Sequence, residues 1–132
     1  MNSQADNRGG SVHRIRLAGP WDWKLRLASG ETQTARKPMD WVPEQNTQVD
    51  SVSRKFNTPT GLASSCSVRL EMNNWPQTAY FKLNHSTIDR SNADMSNLLH
   101  ANGQNILMVE FDPPLSYWPS HDPPTAKLEI CC

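Results

Sequence analysis

The sequence predicts an all-β protein in which two antiparallel sheets pack face to face as a β-sandwich. Short segments with alternating apolar and polar side chains recur along the chain, and Gly, Pro and Asn turn signals separate them. A period of two gives every strand one dry face and one wet face. Two sheets can bury all the dry faces by packing on each other. We expect about eight strands and at most one short helical turn.

The first half of the chain supplies the first segments of this pattern. Residues 12–17 and 21–27 alternate, and Gly19-Pro20 between them predicts a tight corner. In the second segment Trp21 and Trp23 share the dry face, which predicts that both belong to the core. Residues 28–48 are polar and irregular, so they either pack down through a few apolar side chains or hold a short extra strand.

Alternation continues in five further segments, at residues 49–56, 66–72, 79–84, 104–111 and 126–130. The segment at 104–111 carries apolar residues on both faces, which predicts a central place in its sheet. The helix-like phrase is residues 94–100, which Asp94 could cap and Asn102-Gly103 could end. Residues 1–10 are polar and predict a disordered tail, so residues 11–132 form the one expected domain.

Composition argues against two classes of partner. Lys plus Arg and Asp plus Glu number 13 each, and the formal net charge is zero. The field that gathers nucleic acid is therefore missing, and we expect no nucleic-acid partner. No apolar run is long enough to span a bilayer, and the first residues lack the apolar region of a secretory signal. The sequence thus predicts no membrane partner and a cytoplasmic location.

The three cysteines predict no disulfide framework and no zinc site. Cys66 is on the apolar face of a predicted strand, where a reduced thiol acts as a small hydrophobe. Cys131 and Cys132 are expected to be free thiols in a frayed tail, with a terminal lipidation signal as the less favoured alternative.

One loop carries oxygen ligands. Asp89, Asn92 and Asp94 could hold a structural calcium ion, although turn chemistry explains the cluster more simply. We expect no other cofactor and no catalytic metal.

Three phrases resemble a known domain family. The first is Val52–Phe56, a strand that ends in two basic residues and Phe. The second is the turn Leu83-Asn84-His85. The third is Asp94–Val109, a corner followed by a strand with the pattern Gly-x-Asn-x-Leu-x-Val. Together they resemble the sugar-binding jelly-roll domain at the N-terminus of glycoside hydrolase family 2 enzymes, the β-galactosidase and β-glucuronidase group, among the galactose-binding-domain-like sandwiches. The family's usual glycine is replaced at the turn by His85. The resemblance implies a jelly roll with an accessory role, since the catalytic glutamates of those enzymes lie in a separate barrel domain.

No catalytic residue is predicted within this chain. Glycosidases need two carboxylates about 5–10 Å apart. Glu71, Glu110 and Glu129 occupy exposed alternation positions on different strands, which is typical of solvated strand faces. The Ser, His and Asp residues near His121-Asp122 cannot be assembled into a triad from their spacing.

Loop aromatics are the candidate ligand-binding residues. Carbohydrate recognition uses flat aromatic faces and a few planar hydrogen-bonding groups. We expect Trp75, Tyr117 and Trp118 to supply the platforms and Asn84 and His85 the polar partners. The alternative for the tryptophans is that they fold back over the sandwich, because large aromatics are mostly buried.

The leading hypothesis is a non-catalytic jelly-roll domain that binds carbohydrate or is accessory to a glycoside hydrolase. The alternative is a protein-interaction or structural β-sandwich module without sugar binding. Zero net charge favours association, and sheet edges can be extended by a partner.

Overall fold

Residues 12–88, 93–100 and 103–132 are described by the computed structural model, and they form ten strands in two antiparallel sheets. The predicted β-sandwich is confirmed. The four-stranded sheet has the order β1-β10-β5-β8 and the six-stranded sheet the order β3-β2-β4-β9-β6-β7. The strands are β1 (Val12–Arg16), β2 (Trp21–Arg26), β3 (Thr32–Lys37), β4 (Gln48–Asn57), β5 (Ser67–Asn73), β6 (Ala79–Leu83), β7 (Ser86–Ile88), β8 (Ala93–Asp94), β9 (Gln104–Leu115) and β10 (Thr125–Cys131).

The alternating segments become the strands that build the core. In β2 and β10 buried side chains alternate strictly with more exposed ones. β9 lies between β4 and β6 inside the six-stranded sheet, as its two apolar faces predicted. Trp21 and Trp23 are almost completely buried, which agrees with their predicted place in the core. The apolar faces of both sheets therefore meet in one interior.

Two edge strands depart from the simple pattern. β3 is the short extra strand that was one of the two alternatives for residues 28–48, and it pairs with β2 from Arg26↔Thr32 to Trp21↔Lys37. β3 has no fully buried residue, so its hydrophobic periodicity is too weak to predict a strand. β1 is exposed along its whole length, and Ile15 is 41% exposed, because the strand lies at the end of the four-stranded sheet.

The outer face of the four-stranded sheet carries alternating charges across its strands. Arg14, Glu129, Arg69 and Asp94 are successive cross-strand partners on β1, β10, β5 and β8. Arg14 lies 3.2 Å from Glu129. Opposite charges on neighbouring strands attract, so this row supports the observed register.

A single turn follows β8, as predicted for residues 94–100. The Ser96 amide and hydroxyl donate to Asp94 Oδ1 at 2.9 and 2.7 Å, and the Leu98 amide donates to the Met95 carbonyl at 2.9 Å. The amide and hydroxyl of Ser96 lower the pKa of the Asp94 carboxyl, because the ionised carboxylate is the better hydrogen-bond acceptor. Several sequence predictions fall on residues outside the described ranges. They concern Asp89 and Asn92 of the suggested calcium cluster, Asn102, and the tail at residues 1–10.

Asn105 at the start of β9 is the buried polar centre of the fold. Its Oδ1 accepts hydrogen bonds of 2.9 Å from Asn84 Nδ2 and from the His100 amide. Its Nδ2 donates to Thr58 Oγ1 at 2.8 Å and to the Phe56 carbonyl at 3.4 Å. The four partners lie on three other segments, namely the turn after β6, the 94–100 turn and the end of β4, and protein groups fill all four hydrogen-bonding positions of the amide.

Replacing Asn105 by Ala should lower the free energy of unfolding by roughly 3 kcal/mol, because several buried donors and acceptors lose their partner. Urea denaturation measures this change. Asn97→Ala, at an exposed position of the 94–100 turn, is the control and should change stability by less than about 0.5 kcal/mol. Equal losses in the two variants would contradict the central role of Asn105.

Cys66 and Cys132 form a disulfide, which corrects two expectations. Cys66 is not a reduced thiol, and Cys132 is not a free thiol in a frayed tail. The reason is register: β10 extends to Cys131, which is the partner of Ser67, so the next residues on each strand meet. Antiparallel pairing of segments far apart in sequence is not visible in cysteine spacing. Cys131 is a free thiol, as expected, but it is half-buried and lies in β10 rather than in a frayed tail.

Reducing the Cys66–Cys132 bond should lower the free energy of unfolding by about 4 kcal/mol, because the bond closes a loop with a sequence separation of 66. Urea unfolding with and without reductant measures the difference, and a Cys131→Ser variant should preserve it. In unfolded, unreduced protein one of the three cysteines should react with a thiol reagent. Three reactive thiols would refute the pairing.

No helix in the described part of the chain has the length and apolar character that crossing a bilayer requires.

Candidate functional site

Seven aromatic rings form a connected cluster, which consists of six buried rings inside the sandwich and the partly buried Trp41, whose ring lies 5.2 Å from that of Trp23. Trp118 lies 4.4 Å from Trp23 and 6.4 Å from Trp75, measured between ring centroids. Trp75 in turn contacts Trp21, Phe81 and Phe111 at 6.0, 5.9 and 6.3 Å. The cluster therefore links the two predicted core tryptophans of β2 with the two tryptophans of later loops.

Trp75 and Trp118 are core residues, which corrects their expected role as exposed platforms. Trp75 is 7% and Trp118 3% exposed. Each indole N–H has a carbonyl partner: Trp75 donates to Thr125 at 2.9 Å and Trp118 donates to Met39 at 2.6 Å. Burying a large ring stabilises the fold once its polar N–H is satisfied. The alternative considered from sequence, that the loop tryptophans fold back over the sandwich, is correct for Trp75 and Trp118.

Tyr117, next to Trp118, has the opposite environment. Its side chain is 74% exposed. It borders a surface cavity of about 680 Å³. We call this cavity the Tyr117 groove. Its walls come from the β2–β3 turn, the loop before β4 with its first residues, and the loop after β9. They include Arg26, Val42, Glu44, Gln48, Ser116 and Tyr117.

The groove combines an apolar surface with planar polar groups. Val42 is 60% exposed beside it. Gln48 Nε2 donates to Ser116 Oγ at 3.3 Å, and this bond joins the wall at the start of β4 to the wall formed by the loop after β9. Arg26 makes two hydrogen bonds of 3.2 and 3.1 Å to the Asp50 carboxylate, and this interaction raises the pKa of Arg26. The groove thus presents an aromatic face, an amide, a hydroxyl and charged groups of both signs.

Asn84 and His85 lie elsewhere in the molecule. They form the two-residue turn between β6 and β7, with φ values of 49° and 73°. Asn84 Nδ2 donates to the Leu98 carbonyl at 2.9 Å, and its Oδ1 accepts from the Ile106 amide at 2.9 Å. Its amide is therefore structural, whereas His85 is exposed.

The five predicted binding residues do not converge. Asn84 accepts a hydrogen bond from the Ile106 amide near the start of β9, whereas the Tyr117 groove is lined by Leu115 at the end of β9. Nine residues of strand correspond to roughly 30 Å at about 3.3 Å per residue. Tyr117 is the predicted residue that reaches the groove with an exposed ring. Binding at His85 stays a prediction.

Sequence reasoning missed the other walls of the groove. Glu44, Gln48 and Ser116 lie in or beside loops that have no periodicity, so no pattern connected them with Tyr117. The exposed aromatic beside serines in a proline-rich loop was the one available signal.

The three glutamates that were weighed as glycosidase carboxylates are divided between the two sheets. Glu110 is on the outer face of the six-stranded sheet, where its Oε1 lies 2.7 Å from Lys82 Nζ. Glu71 and Glu129 are on the four-stranded sheet, and Glu129 pairs with Arg14. Asp122 accepts a hydrogen bond from Asn74 at 3.1 Å. Within the described residues no group of three or more His, Cys, Asp or Glu side chains could hold a metal ion.

Comparison with known proteins gives one informative result. No protein-family model matches the chain, and no curated protein matches it. The fold is similar to part of a β-glucuronidase. The match is the crystal structure of the FMN-binding β-glucuronidase from Facaelibacterium prausnitzii L2-6, with a TM-score of 0.58 and 17% sequence identity. It covers 90% of this chain and 22% of that one. The likeness shows that this β-sandwich has the fold of a domain found in a glycoside hydrolase.

Core and surface aromatics should respond differently to mutation. Trp75→Ala and Trp118→Ala should each lower the free energy of unfolding by about 3–5 kcal/mol, because each leaves a cavity and an unpaired carbonyl. Tyr117→Ala should change it by less than about 0.5 kcal/mol. Thermal or urea unfolding measures all three. A stable Trp118→Ala variant would show that this ring does not support the core.

Proposed function

We propose that this chain is a non-catalytic carbohydrate-binding domain, accessory to a glycoside hydrolase, and that the Tyr117 groove is its binding site. The observation that carries the proposal is the exposed Tyr117 ring beside a cavity of about 680 Å³. This volume is within the range of small-ligand sites. The similarity in fold to part of a β-glucuronidase supports the accessory role.

The chemistry of the groove suits a saccharide. A sugar ring has an apolar face that stacks on an aromatic side chain and hydroxyl groups around its edge. Tyr117 offers the aromatic face, and Val42 extends the apolar surface. Gln48 and Ser116 can exchange hydrogen bonds with hydroxyls, because amides and hydroxyls both donate and accept. Arg26 and Glu44 add a donor and an acceptor at the walls.

The rigidity of the groove supports recognition. Trp118 is fixed between Trp23 and the Met39 carbonyl, and Tyr117 is its neighbour in sequence. The hydrogen bond from Gln48 to Ser116 ties the start of β4 to the same loop. A preorganised site loses less conformational entropy on binding. The buried tryptophans therefore contribute by holding the loop that displays Tyr117.

Titration with neutral and uronic-acid oligosaccharides, followed by NMR, tests the proposal. We expect the ring signals of Tyr117 to shift saturably. Tyr117→Ala should weaken binding at least about fivefold, because an aromatic stack contributes roughly 1 kcal/mol beyond its buried area and 1.4 kcal/mol corresponds to a factor of ten.

Tyr80 provides a matched control. The chain has two tyrosines, and Tyr80 is 53% exposed on the outer face of β6. Tyr80→Ala should leave saccharide affinity unchanged, and Tyr80→Phe assigns the ring signals. If no saccharide shifts Tyr117, or if both alanine variants lose affinity equally, the Tyr117 groove is not a carbohydrate site. Activity of the isolated chain on chromogenic glycosides would contradict the non-catalytic part.

A further inference from the structure

The Tyr117 groove is poor in charge. Among the described residues that line it, only Arg26 and Glu44 are charged. Most of its other polar side chains are neutral amides and hydroxyls, on Gln45, Asn46, Thr47, Gln48, Ser116 and Ser120. A saccharide in the groove therefore meets one cation, one anion and a set of neutral hydrogen-bonding groups. The state of the two charges decides which class of saccharide the groove favours.

The positive charge of Arg26 is already compensated by Asp50. Arg26 Nε donates to Asp50 Oδ1 at 3.2 Å, and Arg26 Nη2 donates to Asp50 Oδ2 at 3.1 Å. These two bonds form the paired geometry in which a guanidinium holds a carboxylate strongly. The Asp50 side chain is only 13% exposed, so water screens this pair less than a fully exposed one. A second carboxylate, on a ligand, would meet a cation whose charge is neutralised.

Arg26 is nevertheless placed to bind a sugar hydroxyl. It is the cross-strand partner of Gln48, so the two side chains leave the sheet on the same face with Cβ atoms about 5 Å apart. Gln48 in turn reaches Ser116 across the groove. The bonds to Asp50 use two of the five guanidinium N–H groups, and the others can donate to a hydroxyl oxygen. Asp50 is thus a positioning residue that holds Arg26 beside Gln48.

Glu44 is the uncompensated charge of the groove. It is exposed and begins a turn before β4, in which the Thr47 amide donates to the Glu44 carbonyl at 3.1 Å. Its carboxylate forms no ion pair and accepts no hydrogen bond from any described residue. Because Asp50 neutralises Arg26, the field in the groove is that of one free carboxylate. Such a field repels an anionic ligand and leaves a neutral hydroxyl unaffected.

We infer that the Tyr117 groove selects neutral saccharides and discriminates against uronic-acid saccharides, with Glu44 and the Arg26–Asp50 pair as the specificity-determining groups. This inference rests on the proposed function, because it names the class of saccharide that the same groove binds. A groove with an unpaired arginine would have the opposite preference, since a free guanidinium binds carboxylate oxygens in pairs.

Matched pairs of ligands test the inference. The neutral probes are trisaccharides of glucose, galactose and mannose, and each is compared with the glucuronate, galacturonate or mannuronate trisaccharide of the same linkage. The measured quantity is the ratio of uronate affinity to hexose affinity, obtained from the Tyr117 ring shifts in NMR. At low ionic strength we expect each uronate to bind about two- to fivefold more weakly than its hexose, the range for exposed charge pairs. The difference should shrink at about 1 M salt, where charges are screened within roughly 3 Å.

Two variants that remove a negative charge should raise the uronate-to-hexose ratio. Glu44→Gln removes the free carboxylate and keeps the shape of the side chain. Asp50→Asn frees the charge of Arg26 and keeps an amide oxygen as its acceptor. We expect each variant to raise the ratio about two- to fivefold.

Each variant has a matched control outside the groove. Asp40→Asn removes an exposed charge from the same loop as Glu44, and Asp40 does not line the groove. Asp22→Asn frees the charge of Arg36, whose Nε lies 3.0 Å from Asp22 Oδ1 on the same sheet as Arg26. Neither control should change the ratio.

The possible results separate this inference from the proposed function. If Tyr117 shifts and the uronates bind as tightly as the hexoses, the inference is overturned and the carbohydrate site stands. If no saccharide shifts Tyr117, both are overturned. A ratio that is the same in Glu44→Gln, Asp50→Asn and the unchanged protein, or that rises equally in the two controls, would show that these charges do not set the selectivity.

Discussion

The packing of Trp23, Trp75 and Trp118 is the interaction on which most of the structure depends. These rings come from β2, from the loop after β5 and from the loop after β9, and they meet in the interior between the sheets. Each donates its indole N–H to a main-chain carbonyl of another segment. Apolar burial holds the loops down, and the three hydrogen bonds fix where each loop sits.

This arrangement explains how a domain with long loops presents a defined groove. The Met39 carbonyl accepts from Trp118, so the loop before β4 and the loop after β9 are fastened to each other. Tyr117 is excluded from the core because its neighbour fills the space, and its ring remains in solvent. The proposed saccharide platform is thus a consequence of core packing one residue away.

The start of β9 is organised by polar contacts. Asn105 binds Asn84, Thr58, the His100 amide and the Phe56 carbonyl, and the nearby Cys66–Cys132 bond joins β10 to the loop before β5. Such a buried amide is tolerated only when all its hydrogen bonds are made. Asn84, selected from sequence as a sugar partner, belongs to this network, and its resemblance to a family turn reflects structure.

The sequence by itself determined the class of fold, because a period of two in the segments around Trp23, Leu70, Phe81, Val109 and Leu128 admits only extended strands with one dry face. It also determined that Trp21 and Trp23 belong to the core and that one turn follows Asp94. Only the tertiary structure decided that Trp75 and Trp118 are buried while Tyr117 is exposed, since a loop residue has no periodicity to show its direction. The pairing of Cys66 with Cys132 depends on strand register, and it joins residues that are distant in sequence.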